Sequence, residues 1–152
     1  MKIILATDGS PGSHAAVAEI ARRPWPPDSI VRVISVVDVR LPGAPLDSLL
    51  PDSHYLELVG RVDRAARDAV DTAVETLVQS NAHRREPLWI ESAMLSGYAA
   101  AEILREAKDW RADLIVIGSH GYGGWQRFWL GSVSQAVLGR ADCSVEVVRT
   151  AA

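Results

Sequence analysis

A single cysteine, Cys143, in a chain of 152 residues leaves no internal disulfide to form, and such cysteine usage suits a reducing compartment. Long hydrophobic runs are also missing. Met1-Lys2 leads into only Ile3-Ile4-Leu5-Ala6, too short for the apolar core of a secretory signal, and no stretch approaches the ~18 apolar residues of a membrane span. The expectation is a soluble, cytoplasmic protein. A net charge of −3 offers no general attraction to nucleic acid or to an acidic membrane, so any bound polyanion must be held locally. There is no G-x-x-x-x-G-K-[ST] loop, and no G-x-G-x-x-G follows the first apolar run. His14, His54, His83 and His120 share no metal-ligand spacing with Cys143 or with a carboxylate cluster, and no nucleophile–base pair suggests a triad.

What is present is an alternation of strand and helix patterns. Ile3–Ala6 is apolar at every position, as in a parallel strand covered on both faces. Ser10-Pro11 supplies an N-cap and a first-turn proline, and Ala16, Val17, Ile20 and Ala21 form a helical stripe that stops at Pro24. Ile30–Val37 reads as a second strand. Leu41–Ser53, with three prolines and one glycine, reads as an exposed loop. Val62, Ala66, Ala69, Val70, Ala73, Val74 and Leu77 then recur at helical steps. Leu88–Met94 is a third strand, Ala99–Lys108 a helix with Ile103, Leu104 and Ala107 inward, and Leu114–Ile117 a fourth strand. A helix over Ser132–Arg140 and a strand over Ser144–Arg149 close the chain. Such alternation predicts one α/β domain over residues 1–152, an open doubly wound sheet with right-handed crossovers. Ligands of such sheets sit beyond the carboxyl ends of the strands, where the strand order reverses.

Two of those strand ends carry chemistry. After the first comes Thr7-Asp8-Gly9-Ser10; after the fourth comes Gly118-Ser119-His120-Gly121, with Gly131-Ser132-Val133-Ser134 opening the next helix. If the two strands are neighbours, both turns face one crevice. Gly118, Gly121 and Gly131 can adopt positive φ and let a ligand approach the backbone, while the helix start offers unpaired N–H groups to an anion. The alternative is that the glycines only make a tight turn and Ser132 only caps the helix. Arg127 is the lone cation of this loop, too little for a triphosphate, which points to a divalent metal carried on the phosphates; it is equally a surface arginine. Asp8 suits a ribose hydroxyl, an adenine amino group or a metal-bound water, or else is a turn residue. Val36 suits the apolar wall of a base site or the core. Trp125 and Trp129, flanking Phe128, read as packing rather than base stacking.

Taken together, Gly118-x2-Gly121-x9-Gly131-Ser132, the preceding Ala112–Ile117, the opening Ile3–Ser10 and the closing Cys143–Arg149 resemble the ATP-binding branch of the universal stress protein family. The resemblance covers nearly the whole chain. It implies a five-stranded parallel sheet in the order 3-2-1-4-5, of the adenine nucleotide alpha hydrolase-like (Rossmann-like) type, and a homodimer. It further implies that Thr7, Asp8 and Val36 surround an adenosine, while Gly118, His120, Gly121, Gly131, Ser132, Val133 and Ser134 cradle ribose and phosphates, with Mg or Mn alongside the nucleotide. Three positions depart from the family pattern: Ser144 stands where proline is common, Glu146 where an apolar residue is common, and Ala6 where proline or valine is frequent. The implied function is that of an ATP-binding regulatory protein of the stress response, not an enzyme, acting on an unidentified partner. The alternatives are a slow ATPase or phosphotransferase, with Ser132 or Ser134 as acceptor, and a dimeric scaffold that takes AMP, cyclic AMP or no nucleotide.

Overall fold

The computed structural model describes residues 1–38, 52–120 and 130–150. The elements run β1 (Lys2–Ala6), α1 (Pro11–Arg22), β2 (Ile30–Val37), α2 (Asp52–Asn81), β3 (Trp89–Ser96), α3 (Ala99–Trp110), β4 (Leu114–Gly118), α4 (Ser132–Arg140) and β5 (Ser144–Val148). All neighbouring strands are parallel, in the order β3-β2-β1-β4-β5. The sheet expected from the resemblance is the one observed.

The period-2 alternation of the central strands divides the core in two. Ile3 and Leu5 of β1, Val31 and Val33 of β2, and Leu114 and Val116 of β4 face α1 and α2, where they meet Ala16, Val17, Ile20, Val70, Ala73 and Leu77. Ile4, Ala6, Ile34, Ile115 and Ile117 face the other way, onto Ile103 and Ala107 of α3 and Val137 of α4. Helices on both faces explain why β1 beyond Lys2, and all of β4, lack polar side chains. α2 begins at Asp52, inside the segment expected as loop, and the rest of that segment lies outside the described residues. Leu104 is half-buried rather than fully inward.

Polar contacts hold the helices in register. The Arg84 guanidinium donates to the carbonyls of Ile20, Ala21 and Arg23 at 2.7, 2.6 and 2.8 Å, satisfying the carboxyl end of α1. Arg32 of β2 pairs with Glu91 of β3 and Glu106 of α3, and stacks 4.4 Å from the centre of the Trp110 ring, which seats the end of α3 on the sheet. Glu146, the charge on edge strand β5, is paired with Arg23 at 2.5 Å.

Candidate functional site

The turn after β1 carries Thr7 to Ser10 and the turn after β4 carries Ser119 and His120. Because β1 pairs directly with β4, the two turns share the crevice where the strand order reverses. They are bonded to each other: the Ser10 hydroxyl donates to the His120 carbonyl at 3.3 Å. Below that bond, Gly12 in the first turn of α1 meets Gly118 back to back. A Cβ on Gly118 would lie 2.4 Å from the Gly12 carbonyl carbon, and one on Gly12 would lie 2.2 Å from the His120 carbonyl oxygen.

This contact revises the expected part of the glycines. Among the described residues only Gly9 and Gly97 have glycine φ values in the left-handed region, so neither Gly118 nor Gly131 uses that freedom. Gly118 is a glycine because the backbone of α1 occupies the space a side chain would fill. Gly131 has φ −62° and ψ 155°, the extended conformation of an N-cap. A Cβ there would stand 3.3 Å from the Ser119 carbonyl oxygen, a tight contact that leaves little slack.

The α4 side of the crevice is anchored through one carbonyl. Ser119 O accepts from the Gly131 amide at 2.7 Å and from the Ser134 hydroxyl at 3.0 Å. Ser134 is 2% exposed, and its hydroxyl also lies 2.9 Å from Gly131 O, so this side chain braces the turn from inside. Ser132 is exposed. Among the described residues no side chain caps α4, and no carbonyl accepts from the amides of Ser132, Val133 or Ser134. These donors, at the positive end of a helix with no acidic residue in its first turn, form the part of the crevice suited to an anion.

On the opposite wall, Asp8 is exposed, and its Oδ1 accepts from the Ser10 amide at 2.9 Å. The turn thus engages one oxygen, and Oδ2 has no donor among the described residues. Thr7 is 5% exposed, its hydroxyl 3.2 Å from that of Ser13 under α1, while its amide donates to Ile34 O at 2.9 Å. Pairing of Ala6 with Ile34 carries half-buried Val36 level with Asp8, where it packs against the α3–α4 core. His120 is half-buried, with Nδ1 3.2 Å from the Ser119 hydroxyl. The structure therefore gathers Thr7, Asp8, Val36, Gly118, His120, Gly131, Ser132, Val133 and Ser134 at one end of the sheet. Gly121 and Arg127, with Trp125, Phe128 and Trp129, lie outside the described residues. Among the described residues no three His, Cys, Asp or Glu side chains cluster as metal ligands.

Sequence reasoning missed Gly12 and the bonds of Ser10 and Ser13. A signal was available: glycine in the first turn of a helix costs up to ~1 kcal/mol in propensity, and here it follows Pro11 directly. Such a glycine calls for a close contact elsewhere.

Fold and crevice together define an open doubly wound α/β domain with an anion-suited helix start at its reversal point. The universal stress protein family model matches residues 1–149, and the chain belongs to that family. It is 32% identical to universal stress protein MJ0531 of Methanocaldococcus jannaschii, over 97% of this chain and 81% of that one. Among solved structures, universal stress protein UspA from Lactobacillus plantarum superposes with a TM-score of 0.76 at 26% identity, covering 98% of this chain and 97% of that one. A universal stress protein family protein from Arabidopsis thaliana, with AMP bound, superposes with a TM-score of 0.70 at 16% identity, covering 100% and 93%.

Proposed function

We propose that this chain is an adenine-nucleotide-binding regulatory protein that takes ATP, with Mg or Mn carried on the phosphates, in the crevice between β1 and β4. The observation that carries the reading is the start of α4: amides of Ser132, Val133 and Ser134 without acceptors among the described residues, beside the exposed Ser132 hydroxyl. Main-chain donors at a positive helix end are a ready-made phosphate site, and these residues supply them. The free oxygen of Asp8 suits a ribose hydroxyl or an adenine amino group, and Val36 supplies an apolar flank. The AMP-bound Arabidopsis relative of the same fold supports a nucleotide over an unrelated anion.

The metal, when bound, supplies positive charge on the polyphosphate. Regulation follows from linkage: a ligand at 100 times its dissociation constant adds ~2.7 kcal/mol to the stability of the state that binds it. That energy is delivered to two turns already bonded through Ser10 and His120, and it biases a surface read by a second copy or another partner. Slow hydrolysis is the second reading. It would need a base beside the attacking group, and no acid or imidazole among the described residues is bonded to Ser132.

The test is calorimetric titration with ATP, with and without Mg, of the wild type and of Gly121→Val and Gly131→Val. Metal-dependent binding in the wild type, lost in both variants while their circular dichroism is unchanged, is the expected result. Wild-type binding by both variants overturns the site. Phosphate release over hours separates a binding protein from an ATPase, and mass spectrometry of nucleotide released from fresh protein identifies the ligand.

A further inference from the structure

At the end of the sheet away from the crevice, α3 and α4 finish side by side before β4 and β5 begin, and a cleft of about 450 Å³ opens between them. Specific ligand pockets occupy roughly 300–1,000 Å³. Leu104, Ala107 and Cys143 form part of its apolar floor. Its rim carries four cations, Arg105, Lys108, Arg111 and Arg140, against one acid, Asp142, in a chain whose net charge is −3.

The pairing of those cations is uneven. Arg105 is tied to Glu102 at 2.5 Å and lies 3.6 Å from Asp109. The side chains of Lys108, Arg111 and Arg140 have no ion pair or hydrogen bond among the described residues. Two helix carboxyl ends converge here, and each carries roughly half a negative charge, which accounts for about one cation. Asp142 offsets a second, and the net positive excess that remains surrounds an apolar floor. That combination fits an anion with an apolar body. Arg111 and Arg140 can take a carboxylate through paired N–H donors, and Asp142 at the same rim works against a polyphosphate.

We propose that the α3–α4 cleft is a second ligand site, for a small organic carboxylate with an aromatic or branched aliphatic body. The carboxylate sits between Arg111 and Arg140, and the body lies on Leu104, Ala107 and Cys143. The site is independent of the nucleotide crevice and does not rest on the nucleotide reading.

The experiment uses the full chain in ¹⁵N NMR titrations with phenylpyruvate, 4-hydroxybenzoate, indole-3-acetate and 4-methyl-2-oxopentanoate, each beside its neutral amide. At least one acid is expected to shift the amides of Ala107, Arg111, Ala141 and Cys143 and to slow alkylation of Cys143 by iodoacetamide, while its amide does neither. The double variant Arg111→Gln, Arg140→Gln stays folded, with its melting temperature lowered by no more than a few degrees for the lost helix-end charges, because both side chains are exposed and unpaired, and it loses roughly tenfold or more in affinity. Any of four results overturns the proposal: equal binding of acid and amide, undiminished binding by the double variant, shifts confined to the crevice residues around Gly118 and Gly131, or no shift with any acid at about 10 mM, above the weakest specific affinities.

Discussion

Replacing Gly12 by alanine puts a methyl carbon 2.2 Å from the His120 carbonyl oxygen, where ordinary contact begins above 3.4 Å. Neither partner yields as a flexible side chain does, since one is the backbone of α1 and the other the turn after β4. One must move by about 1 Å, an overpacking strain of ~1–3 kcal/mol. The Ser10–His120 bond, 3.3 Å long, lies on the same seam, and its loss adds ~1 kcal/mol. Helix propensity works the other way and returns up to ~1 kcal/mol, because alanine is the better helix former. The net expectation is a loss of about 1–3 kcal/mol, or ~2–12 °C in Tm for a domain of this size. Urea denaturation of Gly12→Ala beside Gly139→Ala checks it. A Cβ on Gly139 meets nothing within 4 Å, so that variant isolates the propensity gain of about 0.5–1 kcal/mol. Should Gly12→Ala be stabilised as much as Gly139→Ala, the close contact of α1 with the turn after β4 is wrong, and with it the seam on which Ser10 bonds to His120.

Ser134→Ala removes the buried hydroxyl that braces Ser119 O and should cost ~0.5–1.5 kcal/mol by urea melts, whereas Ser132→Ala, exposed, should leave stability within ~0.5 kcal/mol and weaken ATP in calorimetry. Arg84→Met takes the guanidinium donor from the carbonyls of Ala21 and Arg23 and leaves Ile20 O with the Trp25 indole N–H alone, and it is expected to lower stability by about 1–3 kcal/mol in thermal or urea unfolding. Glu146→Gln breaks the partly exposed pair with Arg23 and should cost less than ~1 kcal/mol, shrinking further in 1 M salt; a larger loss would mean that β5 depends on the pair. Burial pushes the Cys143 thiol above its ordinary value, so less thiolate is present at a given pH; iodoacetamide should react more slowly than with free cysteine, and its pH–rate curve should be displaced to higher pH.

Gly118 and Ser134, beside the elements that carry them, show how far local pattern reaches. The run Leu114–Ile117 announced a strand covered on both faces, Gly131-Ser132 announced a helix start, and Ser10-Pro11 announced another; each is where its pattern placed it. Periodicity is a property of consecutive residues, so these elements were readable along the chain. What Gly118 and Ser134 do there was not. Both look from spacing like ligand contacts, yet Gly118 makes room for α1 and the Ser134 hydroxyl braces Ser119 from within.

The sequence by itself determined the order of strands and helices, the two chemistry-bearing turns and the family signature, because all are written in neighbouring side chains. Only the tertiary structure decided that Gly12 abuts His120, that Ser10 bonds across to it, that Arg23 neutralises Glu146, and that Lys108, Arg111 and Arg140 ring one cleft. Those facts join residues tens to more than a hundred positions apart, and such distances are closed only when β1 pairs with β4 and the helices settle on opposite faces of the sheet.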